Sequence, residues 1–347
     1  MNIAEKALRR ADKAQQNLGP TAFLFGVVKK LGDDNGGVLV ANLTYTAFVT
    51  IFPLLLILVT VLVNVAASDP SLQSALINGA TSQFPSFGHQ LQHIHALRRS
   101  TVASLIIGLL VLAWGVTRLA QAGLFTMAEV WNVPGPARPG YMPRLARSVM
   151  FLLVLLVGVV ISTALAGLVT YGHHSFTFRA LAQVLAGLAN LGLYLLGFRV
   201  LTPKSVSSRQ LIPGAVAGAI FWTILQAIGA WLVHRYMHSA SVYGTLFGPV
   251  LGLLAWIYFG VQGTVYAAEI NVVLARRLWP RTLIQPPLTE ADRTSLALQA
   301  LQNQRRPEQQ VQVTFTDRPS ETEAPAPPIS PQVVPPAATT ASGQQDH

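Results

Sequence analysis

Residues 246–274 read LFGPVLGLLAWIYFGVQGTVYAAEINVVL, and Glu269 is the one charged residue among them. The hydrocarbon core of a membrane is about 30 Å thick, so a helix that rises about 1.5 Å per residue needs roughly 20 apolar residues to cross it. The quoted stretch exceeds that length. It therefore predicts a membrane-spanning helix.

The composition of the whole chain agrees with that prediction. Of 347 residues, 51% are hydrophobic and only 11% are charged, and the mean hydropathy is +0.45. An average soluble domain carries roughly 25% charged residues, so an ordinary soluble globular protein and a mostly disordered protein are both excluded. The chain has no cysteine, which excludes disulfides, thiolate metal sites and thiol nucleophiles.

Six apolar stretches are long enough to span a membrane, and the predicted spans cover about residues 38–64, 100–118, 148–171, 180–199, 210–234 and 246–274. We therefore predict an all-α integral membrane protein, a six-transmembrane-helix bundle whose domain covers residues 35–280. Lys and Arg residues predict its orientation because they concentrate in cytoplasmic connections. Twenty of the 24 lie on the side shared by both termini, so both termini are predicted to be cytoplasmic.

The two ends of the chain differ from this domain. Residues 1–34 form a predicted cytoplasmic amphipathic segment, in which apolar residues at helical spacing over Pro20–Leu31 indicate a helix at the membrane interface. A plain solvated helix is the alternative. No cleavable signal peptide is expected, because no apolar core with a small-residue cleavage site follows the charged start. Residues 281–347, rich in Pro, Gln and Ala, form a predicted disordered cytoplasmic tail with at most a transient helix over Thr289–Arg306.

An ionisable side chain at membrane depth is unfavourable by roughly 2.5–3.5 kcal/mol on insertion scales, and it is a functional candidate for that reason. Glu269 is the only acidic residue inside a predicted span. Tyr258, Gln262 and Tyr266 precede it at helical spacing, so the four side chains share one face of the helix. That face is predicted to look into the bundle.

Further polar residues are predicted at a similar depth. They are Asn42 and Tyr45 in the first span, Arg118 and Gln121 at the end of the second, and Arg199 at the end of the fourth. Together they predict a cytoplasm-facing polar cavity around Glu269 that forms part of a substrate route, with Arg118 or Arg199 as the charge partner. Two alternatives stay open, since Glu269 either ties helices together through hydrogen bonds or is exposed at the interface.

Other features of the spans predict helix packing. Asn190 lies near the midplane of the fourth span, where it is predicted to bridge helices or to line a substrate route. Pro53 is predicted to kink the first span, because proline removes a backbone hydrogen bond. Small residues at four-residue steps favour close packing, within the chain or between copies. These rows are Gly214 and Gly218 in the fifth span, and Gly244, Gly248 and Gly252 at the sixth.

Enzyme signatures are absent from the sequence. It has no P-loop, G-x-S-x-G, CxxC or H-E-x-x-H motif, so neither a catalytic centre nor a cofactor is predicted. His89 and His93 share helical spacing but are interpreted as ordinary surface histidines, and no metal site is predicted. The basic residues follow membrane topology and do not require a nucleic acid partner.

Four motifs occur in order along the chain. The first is ANLTYTAFVTIFPLL at residues 41–55, and the second is VWNV at residues 130–133. The third is FRVLTP at residues 198–203, followed by PGA at residues 213–215. The fourth runs from YGT at residues 243–245 through WIY at residues 256–258 to AEIN at residues 268–271. In this order they resemble the YihY/BrkB family of bacterial inner-membrane proteins, although Ala267 stands where that family usually has glycine.

The resemblance covers about residues 20–280 and implies six transmembrane helices with both termini in the cytoplasm. The family was once labelled ribonuclease BN, a name regarded as misassigned, and some relatives have been linked to export of lipid-linked envelope components. It has no agreed catalytic residues to transfer. The matching motif positions are Tyr45, Pro53, Gly244 and Glu269, all of unknown role.

The sequence thus predicts a multi-pass protein of the bacterial cytoplasmic (inner) membrane that is not an enzyme. Its predicted function is envelope-related transport or translocation of a lipid-linked or amphiphilic substrate, and its predicted partners are membrane lipids. The alternative is a non-transporting membrane scaffold that recruits envelope partners. A ribonuclease is not expected, and the sequence leaves open whether copies of the chain associate.

Overall fold

The architecture comes from a computed structural model that describes residues 3–65, 102–171, 176–236 and 248–315, and these ranges contain helices and no strand. The predicted surface histidines His89 and His93 and the predicted packing residue Gly244 lie outside the described residues. Nine α-helices follow one another within those ranges. They are α1 (Ile3–Asn17), α2 (Gly19–Asp33), α3 (Gly36–Val65), α4 (Val102–Val130), α5 (Tyr141–Tyr171), α6 (Phe176–Leu201), α7 (Ile212–Tyr236), α8 (Gly248–Arg276) and α9 (Glu290–Gln302).

Five apolar helical segments in the described part of the chain are long enough to cross a membrane. They are Leu109–Val130, Tyr141–Gly158, Ala180–Leu201, Ser208–Gly229 and Val250–Arg276. The apolar segment of α3 that can be assessed, Gly36–Ile51, is shorter than a span. The predicted all-α membrane class is confirmed. The sixth span and the orientation of the termini stay predictions.

The helices from α3 to α8 form a closed ring. Each packs against its neighbours in chain order, and α8 returns to α3. Helix α2 lies against α8 and α3, and α1 lies against α2. The ring therefore carries a two-helix cap, formed by α1 and α2, near the C-terminal end of α8.

The main buried core lies at the end of the ring where α4, α6 and α8 finish and α3 and α7 begin. We call it the polar end, because the charged residues described below lie within it. Its most deeply buried apolar side chains are Val40, Val130, Leu211, Val265, Val272, Val273 and Leu278. Large apolar side chains such as Leu153, Leu188 and Ile220 are instead exposed on the ring, as lipid-facing positions of a membrane helix should be.

Glycine allows α7 to approach its neighbours closely. A Cβ atom at Gly214 would overlap the carbonyl oxygen of Ala267 in α8, and the Gly214 N–H donates a 2.6 Å hydrogen bond to Asn271 Oδ1. A Cβ atom at Gly218 would lie 2.6 Å from the ring of Tyr194 in α6. Both close approaches are between helices of the same chain.

The glycine row of α8 behaves differently from these two. Gly248 is the first residue of α8 and Gly252 is half-buried. The close approaches of α8 are made by Gly260 and Gly263, where an added Cβ would meet the rings of Trp222 and Phe221 in α7. Pro53 is buried inside α3, which continues on both sides of it, and the predicted kink stays a prediction.

The segment after α8 departs from the predicted disordered tail. Residues 281–312 belong to the same compact unit as the ring, and α9 begins at a capping box in which Thr289 and Asp292 bond each other's backbone N–H groups. The prediction of disorder from residue 281 is therefore wrong for this segment, because buried polar contacts order a stretch that is poor in apolar residues. Residues 313–315 belong to a second unit, and residues 316–347 lie outside the described residues.

Candidate functional site

Glu269 lies near the C-terminal end of α8 and is completely buried. Its nearest cation is Lys30 of α2, whose Nζ is 3.7 Å from Glu269 Oε2, a separation too long for a good hydrogen bond. Among the described residues, neither oxygen of Glu269 accepts a hydrogen bond. The carboxyl group thus faces one ammonium group across the contact between α2 and α8.

The charge partner predicted for Glu269 was wrong. The guanidinium of Arg199 donates a 2.8 Å hydrogen bond to the carbonyl of Val206. The guanidinium of Arg118 lies over the ring of Trp114, 5.5 Å from its centroid. Sequence spacing along single helices could not show that α2 folds back to place Lys30 beside α8.

Lys30 is itself completely buried and joins three parts of the fold. Its ammonium group donates to Asp34 Oδ2 and to the carbonyl oxygen of Val130, the latter at 3.1 Å. Asp34 Oδ1 accepts a 3.2 Å hydrogen bond from Asn132 Nδ2. We call Lys30, Asp34, Asn132 and Glu269 the charge cluster. Burial raises the pKa of Asp34 above its ordinary value, although Lys30 and Asn132 act in the opposite direction.

The way in which α4 ends explains why Asn132 lies beside Asp34. Asn132 has a φ of 49°, in the left-handed region that asparagine tolerates better than most residues. Its N–H donates to Glu129 O at 2.9 Å, and the Val133 N–H donates to Ala128 O at 2.8 Å. These are the two hydrogen bonds of a Schellman motif, which ends a helix and leaves its remaining carbonyls free to accept other donors.

Two cations from other helices bind those remaining carbonyls. Lys30 donates to Val130 O, and Arg276 donates to Trp131 O at 2.9 Å. Cations stabilise the C-terminal end of a helix, where the helix dipole is negative. The end of α4 is therefore held between α2 and α8 by two basic side chains.

The C-terminal end of α9 is bound to the same place. Asn132 Nδ2 donates to Gln302 Oε1 at 2.7 Å, and Gln302 Nε2 donates in turn to Glu129 Oε2. The other oxygen of Glu129 accepts a 2.8 Å hydrogen bond from Arg138. The charge cluster thus continues through side-chain amides into α9.

A second group of charged residues joins α2 to the segment after α8, and we call Lys29, Asp33, Arg281 and Asp292 the clasp. The buried guanidinium of Arg281 donates to Asp33 and to Asp292, each at 2.6 Å. Lys29 Nζ lies 2.9 Å from the same oxygen of Asp292. Burial alone would raise the pKa of Asp292, but hydrogen bonds from Lys29, Thr282 and Arg281 together hold that pKa well below its usual range.

The predicted inward face of α8 points inward at only one end. Glu269 is fully buried, whereas Gln262 and Tyr266 are half-buried and Tyr258 is 43% exposed. Because α8 crosses its neighbours, side chains along one of its faces are buried at one end of the helix and become exposed further along it. The prediction that all four side chains look into the bundle is therefore wrong for Tyr258.

The other predicted route residues lie apart from the charge cluster. Asn42 and Tyr45 are exposed on α3, with Tyr45 at 68%. Asn190 is buried on α6, and one turn further along α6 the hydroxyl groups of Tyr194 and Thr264 lie 3.2 Å apart, joining α6 to α8. A role for any of these residues in a substrate route stays a prediction.

Arg118 defines a second polar location, separate from the charge cluster. It lies twelve residues before Val130, the end of α4, which is about 18 Å along a helix and places it near the middle of the span Leu109–Val130. The side chain is exposed and borders a depression of about 510 Å³. The residues that line the depression are Ala113, Trp114, Thr117, Arg118 and Gln121. The single cavity predicted around Glu269, Arg118 and Gln121 is therefore wrong.

Sequence reasoning missed Lys30, Asp34 and Asn132 as partners of Glu269. Lys30 and Asp34 are four residues apart, a spacing that indicates a side-chain pair on one helix face. Asn132 is the polar residue of the VWNV motif. The capping-box spacing of Thr289 and Asp292 was a comparable signal for the start of α9.

These observations define a class of protein: a multi-pass α-helical membrane protein with a buried charge cluster at one end of its helix ring. The chain belongs to a particular family within that class, because the family model described as Virulence factor BrkB matches residues 27–290. No solved structure matches the chain.

Two relatives are similar over most of this chain. A UPF0761 membrane protein of Nitrosospira multiformis is 23% identical over 296 residues, which cover 78% of this chain and 66% of that protein. The inner membrane protein YhjD of Escherichia coli is 23% identical over 285 residues, which cover 76% of this chain and 84% of that protein. A putative ribonuclease-like protein of Bacillus subtilis, YfkH, is 30% identical over 74 residues, only 26% of its length.

Proposed function

We propose that this protein translocates an amphiphilic or lipid-linked envelope substrate with an anionic headgroup across the bacterial cytoplasmic membrane. The observation that carries the proposal is Arg118, a cation exposed near the middle of an apolar span. Among the described residues no acid forms a salt bridge with it, and its contact is with the face of Trp114.

An unpaired guanidinium at this depth is unfavourable by roughly 2.5–3.5 kcal/mol on insertion scales, and such residues mark substrate pathways. The guanidinium has five N–H donors in a planar fork that matches carboxylate and phosphate oxygens. Its stacking on Trp114 leaves these donors available. An anionic headgroup that reaches Arg118 would supply the missing negative charge.

The shape of the surface suits a substrate that keeps its tails in the membrane. The depression is open, is lined by residues of α4 alone and holds about 510 Å³. Gln121 adds amide hydrogen-bonding groups one turn from Arg118. A headgroup can lie against these side chains while its acyl chains stay in lipid beside the helix.

Other observations support a location in the inner membrane and an orientation with both termini in the cytoplasm. One relative is called an inner membrane protein, and the excess of Lys and Arg on one side favours a cytoplasmic location for both termini. In that orientation the charge cluster lies at the cytoplasmic end of the ring. Arg118 lies deeper, between the two surfaces.

Reconstitution in liposomes tests the proposal. Purified protein is supplied with fluorescent lipids whose headgroups are either anionic or zwitterionic, and the initial rate of headgroup translocation is measured. We expect Arg118→Gln to lower the anionic rate at least tenfold and Arg118→Lys to retain part of it. Arg209→Gln is the matched control, because Arg209 is exposed in the short turn just before α7 and is not among the residues that line the depression.

A scaffold without transport activity is the second candidate, and the ordered segment 281–312 favours it. This segment folds back onto α2 through the clasp and onto α1 through the Leu283 N–H, which donates to Asp12 Oδ1, and it offers a structured surface for a partner. Folded wild-type protein that translocates no lipid would support the scaffold. A pull-down with and without substitutions on the exposed face of α9 would then be the appropriate experiment.

A further inference from the structure

Glu269 is a carboxyl group without the contacts that an ionised carboxylate requires. It is completely buried, and neither of its oxygens accepts a hydrogen bond among the described residues. Burying an ionised carboxylate without hydrogen bonds is so unfavourable that such groups usually become neutral. Whether Glu269 is ionised or protonated therefore depends on the charged groups around it.

Within the charge cluster, the positive charge is too small to neutralise both Glu269 and Asp34 when they are ionised. Among the described residues, Lys30 of α2 is the one cation within 4 Å of Glu269, and its ammonium already donates to Asp34 and to the carbonyl of Val130. The same ammonium group contacts Asp34 and Glu269, which brings the two carboxyl groups to one cation. One ammonium group thus serves two carboxyl groups, and the charge cluster would carry a net negative charge if both were ionised.

Among the described residues, one further cation lies near the charge cluster, and it acts on Asp34. On α8, the guanidinium of Arg276 is bound to the carbonyl of Trp131 and interacts electrostatically with Asp34. On α4, Glu129 is paired with Arg138. Next to Asp34, Asp33 is bound to Arg281 of the clasp, and α9 contributes the uncharged Gln302 through Asn132.

We infer that Glu269 and Asp34 share one proton, and that this proton keeps α2 closed against α8. Both oxygens of Asp34 accept hydrogen bonds, from Lys30 and Asn132, whereas those of Glu269 accept none. The proton therefore resides on Glu269, whose hydroxyl donates towards Asp34. The positive charge of Lys30 and the negative charge of Asp34 then cancel.

Release of the proton would leave two carboxylates for one ammonium group in a site closed to water. Two close carboxylates cannot both ionise without a large penalty. The penalty falls if α2 moves away from α8 and water enters. The contact that would open is close, since a Cβ atom at Gly26 of α2 would lie 3.1 Å from Leu278 O and 3.7 Å from Val273 Cγ1. The inference is independent of the proposed transport.

Infrared spectroscopy of the full-length protein tests for the proton. We expect a carboxylic acid band at neutral pH that disappears in Glu269→Gln and also in Asp34→Asn, because Lys30 then pairs with an ionised Glu269. Glu290→Gln is the matched control, since Glu290 is exposed at the start of α9, and it should leave the band unchanged. A band that survives in Glu269→Gln, or that Asp34→Asn leaves unaltered, would overturn the shared proton.

Cysteine labelling tests the opening, because the chain has no cysteine of its own. Val273→Cys places a thiol in a fully buried position under α2, and Leu18→Cys places one at a position that is 59% exposed. We expect the labelling rate at 273, divided by that at 18, to rise several-fold between pH 6 and pH 9. The ratio should stay flat when Glu269→Gln is added. A flat ratio without Glu269→Gln, or a rise that persists with it, would overturn the proposed opening.

Discussion

The ammonium nitrogen of Lys30 lies 3.7 Å from Glu269 Oε2, and both side chains are completely excluded from solvent. The pair joins a helix near the N-terminus to the last helix of the ring. Lys30 also forms a buried ion pair with Asp34, and removal of one partner of such a pair leaves an uncompensated charge. The relationship therefore fixes where α2 docks.

We predict that Lys30→Met destabilises the protein by about 3–5 kcal/mol, the range for breaking a buried ion pair. The substitution leaves Asp34 without its cation and Val130 O without its donor. Unfolding in mixed detergent micelles measures the change. Adding Asp34→Asn should recover part of the loss, because it removes the carboxylate that Lys30 neutralises, and a double mutant no more stable than Lys30→Met would contradict the coupling between Lys30 and Asp34.

Asn132 is expected to contribute through both its backbone and its side chain. Asn132→Ala should cost about 1–3 kcal/mol, because it removes hydrogen bonds to Asp34 and Gln302 and places a Cβ without a polar group in the left-handed region. Asn132→Gly removes the strain of the left-handed backbone conformation but does not restore the lost hydrogen bonds. We expect the stability of Asn132→Gly to lie between that of the wild type and that of Asn132→Ala. Equal stability of wild type and Asn132→Ala would count against the Schellman end of α4 as a positioning element.

Gly214→Ala should lower stability by about 1–3 kcal/mol, the typical cost of overpacking. The new methyl group would overlap the backbone of α8 at Ala267 and displace the Asn271 amide. Gly187→Ala is the matched control, because nothing lies within 4 Å of a Cβ atom there. Thermal unfolding in detergent compares the two variants. Similar melting temperatures for both would show that α7 and α8 do not pack as described.

The all-α membrane class and the buried end of α8 could be predicted from the sequence because apolar length and the isolated acid Glu269 are local signals. The bounds of the spans were less accurate, since the span predicted to end at residue 118 extends to Val130. The partner of Glu269 could not be predicted, since Lys30 reaches it only after α2 folds back on the ring. The order of residues 281–312 was missed for a similar reason. Its contacts, such as Arg281 with Asp33, depend on residues far away in the chain, whereas the composition of the segment alone indicates disorder.

The clasp should weaken in acid. The pKa of Asp292 is lowered in the folded state, so its carboxylate stabilises the fold above its unfolded pKa of about 3.9 and loses that contribution as the pH falls further. Hydrogen exchange in α9, corrected for the intrinsic rate, should therefore increase below about pH 4. Asp292→Asn should show faster exchange already at pH 7 and a smaller further increase in acid. Exchange in the wild type that does not change with pH would contradict the clasp.

Transport by reconstituted protein tests the central claim most directly. The quantity is the ratio of anionic to zwitterionic headgroup translocation in liposomes, measured for the wild type and for Arg118→Gln. We predict a wild-type ratio well above one that falls towards one in Arg118→Gln, while Arg209→Gln keeps the wild-type value. Equal ratios in the wild type and Arg118→Gln, from protein shown to be folded, would contradict the claim that Arg118 receives an anionic headgroup.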